Sequence, residues 1–310
     1  MALIKRVPAN LGLDFIGKRA FFLVFSALLL AVSVGSVALQ GLNFGVDFRG
    51  GILMEVQTKG PADIANLRDR ISGLGIDGAT IQAFGEPDDV LINLPSQGET
   101  AAETQPLIET IRAALSDVAQ EYRRVEFVGP KVGDELREAG ALATVLALLG
   151  IAAYIWFRFE WHFAAAALIA LVHDVIATIG FFSVTQIEFN LATLAAVLTI
   201  AGYSINDTVV IFDRIREDLR KYKKMALPQL LNTALNHTLT RTVLTSGTTL
   251  LALVSLYVFG GEVIRGFTAG LIWGVLIGTF SSVGIAVPLL IYFGLRRTDM
   301  ASTEEEAARP

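Results

Sequence analysis

The chain has 310 residues, of which 53% are hydrophobic and 18% charged, with a formal net charge of −5 and no cysteine. A charged fraction below the roughly 25% of ordinary soluble domains, with a mean hydropathy of +0.55, excludes a water-soluble enzyme and an intrinsically disordered chain. The absence of cysteine excludes disulfide frameworks, thiolate zinc sites and thiol nucleophiles. The basic residues stand in short groups beside apolar runs, which is no nucleic-acid footprint.

A hydrocarbon core of about 30 Å takes about 20 helical residues, and the stretches poor in Asp, Glu, Lys and Arg predict six spans. Residues 20–46 form the first, without a charge. Ser36-Val37-Ala38 loosely fits a small-x-small cleavage site, but the apolar run is too long for a signal peptide, so a retained span is expected. Residues 47–137 follow, with nine bases and sixteen acids, and read as a folded domain outside the membrane. Within them the pattern predicts a strand over 52–58, a helix from Pro61 to about Leu74, and strands over 79–84 and 90–94 around the turn Glu86-Pro87-Asp88. A second helix over 99–117 and a strand over 122–128 complete the domain. This β-α-β-β-α-β order is that of a ferredoxin-like α+β domain. It contains no histidine and no metal-ligand spacing, so it reads as a docking domain. Residues 138–295 carry the other five spans, at 139–157, 161–186, 189–212, 242–261 and 266–295.

The basic loops alternate in register with the spans. Lys5, Arg6, Lys18 and Arg19 precede the first span and Arg158 lies between the second and third. Residues 213–224 hold six bases against three acids, and Arg296 and Arg297 follow the sixth span. The turn around Glu188 has no base. By the positive-inside rule residues 1–19, the loop 213–240 and the tail 296–310 are expected in the cytoplasm, with 47–137 on the opposite side.

Charges inside spans cost at least about 2.5 kcal/mol each, so each needs a partner or a task. Asp207 lies in Gly202-Tyr203-Ser204-Ile205-Asn206-Asp207-Thr208, where small and polar residues interrupt an apolar helix. It is eighteen residues from Phe189, or about 27 Å along a helix. Arg241 is nineteen residues before Gly260, about 28 Å from the same side. Equal depth, and the hydroxyl-rich entry of the fifth span (Thr238, Thr240, Thr242, Thr245, Ser246, Thr248, Thr249), predict an ion pair or proton relay between Asp207 and Arg241. The alternative is a plain positive flank. His173 and Asp174, mid-way along the third span, are secondary candidates for the proton pathway; as consecutive helical residues they are expected to face apart. Gly266, Gly270, Gly274 and Gly278 form an i, i+4 stripe suited to close helix packing.

Four blocks together resemble the SecD/SecF family of protein-export components, within the resistance-nodulation-division (RND) superfamily. They are GVDFRGG (45–51), GPKVGDEL (129–136), GYSINDTVVIFDRIRE (202–217) and LNHTLTRTVLTSGTTLL (235–251). The resemblance is to the family's smaller, six-span component. It implies half of a twelve-helix unit, completed by a SecD-like six-helix partner, in the bacterial inner membrane with 47–137 in the periplasm. Further implied partners are the SecYEG translocon, YajC- or YidC-type components and the emerging preprotein. The implied activity is non-enzymatic: protons serve as the coupling ion, no cofactor is used, and the proton-motive force promotes preprotein translocation and release on the external face. The family's proton-pathway aspartate and arginine fall on Asp207 and Arg241. Gly50 and Gly51 are expected to shape the junction between span and domain.

Three rivals stand beside this reading. An RND-type exporter of lipids or small molecules is disfavoured by the single 91-residue external domain. An intramembrane aspartyl protease using Asp174 and Asp207 is disfavoured by their unequal depths and by the lack of a Gly-x-Gly-Asp sequence. A structural scaffold would reduce Asp207 and Arg241 to packing charges.

Overall fold

A computed structural model describes residues 12–76, 78–95, 98 and 100–295. Residues 5, 6, 296 and 297, on which part of the expected sidedness rests, lie outside them.

Among the described residues, six helices are long and apolar enough to cross a membrane. The first, α1 (Arg19–Gln40), runs unbroken through the charge-free stretch and ends at Gly41. It stops short of the expected limit at 46. The next four are α5 (Pro130–Arg158), α6 (Trp161–Thr185), α7 (Leu191–Lys221) and α8 (Leu227–Phe259). Three of them outrun their apolar limits: α5 begins within the expected domain, and α7 and α8 reach deep into the expected loop 213–240, leaving only residues 222–226 between them. Charge ends a lipid-facing segment, but it does not end a helix, because Arg, Lys and Glu are good helix formers. Pro130 opens α5 and Pro228 opens α8 in their first turns, where a missing N–H costs nothing. The sixth span is composite: α9 (Arg265–Ser281), a π-helical turn (Ser282–Ala286) and, once α2 to α4 of the outer domain are counted, α10 (Val287–Tyr292). Pro288 accounts for the wide turn, since its ring clashes with the carbonyl four residues back in a regular helix.

Helices α6 and α9 form the centre of the bundle with α7, whereas α1, α5 and α8 turn most of their surface outward. The glycine stripe makes this centre possible. A Cβ on Gly270 would meet Phe182, one on Gly274 would meet Ile200, and one on Gly278 would meet Ser204, so α9 lies against α6 and α7 at a distance that only glycine allows.

Between α1 and α5 stands the outer domain: a short α2 (Val46–Arg49), β1 (Gly51–Thr58), α3 (Ile64–Ser72), β2 (Thr80–Ala83), β3 (Asp89–Leu94), α4 (Ala101–Leu115) and β4 (Ala119–Val128). The expected element order is found. The sheet is antiparallel in the order β2-β3-β1-β4, the ferredoxin-like arrangement. Period-two alternation sends Ile52, Met54 and Val56 of β1 toward Leu67, Ile71, Ile108 and Ile111 of the helices. Leu53 and Leu91 face the other way, against Val46 and Val128. Asp63 and Thr100 cap the two helices by accepting from Asn66 N–H and Glu103 N–H.

Domain and bundle join tightly. Gly50 and Gly51 have φ of 69° and 143°, which other residues resist, and a Cβ at either would strike Pro130 or the Leu94 carbonyl. The strand-like segment before α2 pairs with the α6–α7 turn: Gly45 N–H donates to Phe189 O at 3.0 Å and Phe189 N–H to Asn43 O at 2.7 Å. Asp47 accepts from Leu191 N–H at 2.9 Å, placing a carboxylate on the N-terminus of α7, where the helix dipole favours it.

Candidate functional site

Asp207 lies on the buried face of α7, 6% exposed. Its Oδ1 accepts from the Thr242 hydroxyl of α8 at 3.4 Å, and its Oδ2 has no hydrogen-bond partner. The contact with Thr242 puts residues 207 and 242 at one level of the antiparallel pair, as the equal-depth argument requires. The expected ion pair is absent. Arg241 is exposed and joins none of the ion pairs among the described residues, acting on Asp207 only through space. One residue along a helix is a rotation of about 100°, so turning Thr242 inward turns Arg241 out of the single-chain bundle.

Asp174 sits at the centre of the bundle, fully buried. Its Oδ2 accepts from Ser204 of α7 at 2.5 Å and from Ser281 of α9 at 2.6 Å, and its Oδ1 meets His173 Nδ1 at 2.9 Å. This corrects the expectation that His173 and Asp174 face apart: Asp174 points to α7 and α9, and the His173 ring, which lines the groove beside α1, reaches back to the neighbouring carboxyl. An unsatisfied carboxyl here would cost several kcal/mol, so the serines and the histidine are what permit Asp174 in the core. His173 Nε2 has no partner.

Hydroxyls link these groups. Thr208 Oγ1 and Ser282 Oγ are 2.8 Å apart, Ser246 Oγ and Thr279 Oγ1 2.8 Å, and Tyr203 donates to Ser246 at 3.5 Å. Thus α7, α8 and α9 share a polar seam from Asp174 past Asp207 to the inner face of α8. Sequence reasoning missed Ser281 and Ser282. The available signal was a serine pair between two glycines in an otherwise apolar span.

At the end of the bundle next to the ferredoxin-like domain, Glu188 lies in the α6–α7 turn under the sheet. Burial, then the nearby Asp47, holds its carboxyl above the ordinary glutamate range, against hydrogen bonds from Asn190 and Asn93 and the charge of Arg124. Glu188 and Asn190 line a cleft of about 280 Å³ with Arg124, Tyr257 and Arg265.

At the opposite end, ion pairs tie α5, α6 and α7: Arg158 to Asp213 at 2.9 Å and Arg216 to Glu160 at 3.0 Å. Asn236 of α8 grips the backbone of Leu13, accepting from its N–H at 2.9 Å and donating to its carbonyl at 2.8 Å, and Asn232 accepts from Phe15 N–H at 2.9 Å. Among the described residues no group of three or more His, Asp or Glu is suited to hold a metal ion.

Six spanning helices with buried carboxyls and one ferredoxin-like domain define a polytopic membrane protein. Residues 108–296 match the family model of the protein export membrane protein SecD/SecF, C-terminal, and residues 35–62 match the SecD/SecF GG motif. The chain is 44% identical to the protein translocase subunit SecF of Rickettsia felis, covering 95% of this chain and 96% of that one. Identity to the SecF of Magnetococcus marinus is 47%, covering 94% and 96%. The crystal structure of SecDF, a translocon-associated membrane protein from Thermus thermophilus, superposes with a TM-score of 0.83 at 33% identity over 96% of this chain. This chain spans 40% of that SecDF chain. The chain belongs to the SecD/SecF family of protein export membrane proteins, and its part in export is transport.

Proposed function

We propose that the protein uses the proton-motive force, together with a SecD-type partner, to promote preprotein translocation and release on the external face of the bacterial inner membrane. The observation that carries this reading is Asp207: a carboxyl inside a span, almost fully buried, with one oxygen on a threonine and the other unpartnered. A carboxyl so placed is poorly satisfied as an anion, and it has a cation on the next helix whose approach or withdrawal changes its affinity for a proton. Arg241 is the movable member: exposed on α8 of the single chain, it faces where a partner bundle completes the unit, and a partner carboxyl competes with Asp207 for it. His173 and Asp174 are the secondary members of the pathway.

The chain spans 40% of the SecDF chain that it matches, which supports a SecD-type partner; we assign that partner six further spans. The SecYEG translocon and YajC- or YidC-type components are the larger assembly in which it works. Residues 1–19 and 296–310 are assigned to the cytoplasm and 47–137 to the periplasm, and the coupling ion is the proton, with no cofactor.

The test is export of a reporter preprotein in cells depleted of the native subunit and complemented with wild type, Asp207→Asn or Arg241→Met, with membrane levels compared. Normal insertion without export supports the reading. Full restoration by both variants would reduce the pair to structural charges.

A further inference from the structure

Ser281 is fully buried and stands at the last turn of α9, where the π-helical turn begins. A serine hydroxyl carries one proton, yet Ser281 Oγ has two acceptors within reach: Asp174 Oδ2 at 2.6 Å and its own helix's Gly278 carbonyl at 3.1 Å. The Gly278 carbonyl is contested: it already accepts the Ser282 N–H, and its second lone pair is also claimed by Ser282 Oγ at 2.9 Å. Ser282 Oγ is in turn 2.8 Å from Thr208 Oγ1, and Thr208 adjoins Asp207 in sequence. The bonds run from Asp174 through Ser281, the Gly278 carbonyl and Ser282 to the helical turn that carries Asp207.

The backbone at the centre of this chain is soft. A π turn followed by Pro288 interrupts the regular hydrogen-bond ladder, and such turns are bending points often found at functional sites. The turn touches three neighbours. Ser281, just ahead of it, bonds Asp174 of α6, Ser282 bonds Thr208 of α7, and a Cβ on Gly284 would lie 3.2 Å from Phe22 of α1. Ile285 and Leu289 also line an apolar groove of about 450 Å³ against Leu30, His173 and Ile176, which leaves room for the segment to shift.

We propose that Ser281 is a positioning residue that transmits the charge of the His173–Asp174 pair to the π turn. It does so by giving its proton either to Asp174 or to the Gly278 carbonyl. With the pair negatively charged, the carboxylate takes the proton in a charge-assisted bond, about twice as strong as a neutral one. A proton arriving at the carboxyl removes that advantage, and one arriving at His173 Nε2 weakens it by setting an imidazolium against the carboxylate. Ser281 then turns to Gly278, displaces Ser282, and loosens the hold on Thr208 beside Asp207. The other groups facing Asp174 are few: Ser204 and, behind Thr208, Asp207 on α7; α1, α9 and the π turn present hydroxyl and apolar side chains at this level, Arg265 being sixteen residues away at the outer end of α9. The inference rests on the proton-coupled reading only for the source of the proton.

The chain has no native cysteine, so spin labels at Phe21→Cys and Tyr292→Cys, both exposed positions on α1 and α10, report the bend at the π turn. In the full chain in liposomes, the distance distribution is expected to shift between acid and alkaline buffer. Asp174→Asn and Ser281→Ala should each lose the shift, and Ser255→Ala, which removes an exposed hydroxyl donating to the Leu251 carbonyl of its own helix, should keep it. Should Asp174→Asn fail to fold, His173→Gln takes its place. A shift that survives in Ser281→Ala, that is missing in wild type, or that vanishes equally in Ser255→Ala overturns the proposal. Normal export by Asp207→Asn with the shift intact would instead contradict the export reading and leave this one standing.

Discussion

Asp207 meets the hydroxyl of Thr242 at 3.4 Å, while the guanidinium of Arg241, one residue earlier on the same helix, turns away from the bundle. The carboxyl is thus held by a neutral donor, and the cation is kept nearby without being consumed in a fixed pair.

Thr242→Val keeps the shape of the side chain and removes that donor. Leaving a buried oxygen without its partner costs about 1–3 kcal/mol. The variant should insert at wild-type levels, melt at a lower temperature and export a reporter more slowly; unchanged export would show that the contact is incidental.

The glycine stripe gives a paired prediction. Gly274→Val places atoms where Ile200 lies, and overpacking of this kind costs about 1–3 kcal/mol or more. Gly202 has open space around its Cβ position, so Gly202→Ala should leave the melting temperature of the purified chain unchanged or slightly higher. Equal effects of the two substitutions would contradict the packing described for α9.

Glu188 predicts a pH dependence for the junction between domain and bundle. Its carboxyl is raised in the folded protein, first by burial and then by Asp47, so the fold binds its proton more readily than the unfolded chain does. The stability it lends is complete below the ordinary glutamate value and is lost as pH rises through the raised one. Melting curves of wild type should fall over that interval, and Glu188→Gln, which keeps the neutral form at every pH, should flatten them. Identical pH profiles would exclude Glu188 as the cause.

Asn236 predicts a release. Its two bonds to the Leu13 backbone, each worth about 0.5–1.5 kcal/mol, hold the segment ahead of α1 on α8. In Asn236→Ala, trypsin should cut faster at Lys18 and Arg19, and Leu13→Pro, which removes the N–H, should reproduce the effect. Unaltered cleavage in both would mean the segment is held by packing alone.

The six spans and the β-α-β-β-α-β order were legible because each rests on one strong periodic signal: a long charge-free run, or alternation bounded by glycine and proline. Helix ends were less so. Residues 213–221 read as a loop from their charge, yet they continue α7, since solvent-exposed arginines and acids favour a helix as much as a loop. The level of Asp207 against α8 could be counted from rise per residue. The rotation of α8 about its axis could not, and that rotation decides between Thr242 and Arg241. The helical angle between His173 and Asp174 predicts that they face apart, but their side chains meet at 2.9 Å. Ser281 and Ser282 were invisible because serine is common in packed spans, and only the third dimension brings Asp174 to them.

On the proposed reading, Asp207 takes up and releases the proton that drives export. The most direct measurement is preprotein release from proteoliposomes holding the full chain, a SecD-type partner and the translocon, with and without an imposed proton gradient. The account predicts that the gradient accelerates release with wild type and has no effect with Asp207→Asn inserted to the same level. Equal acceleration in both would contradict it.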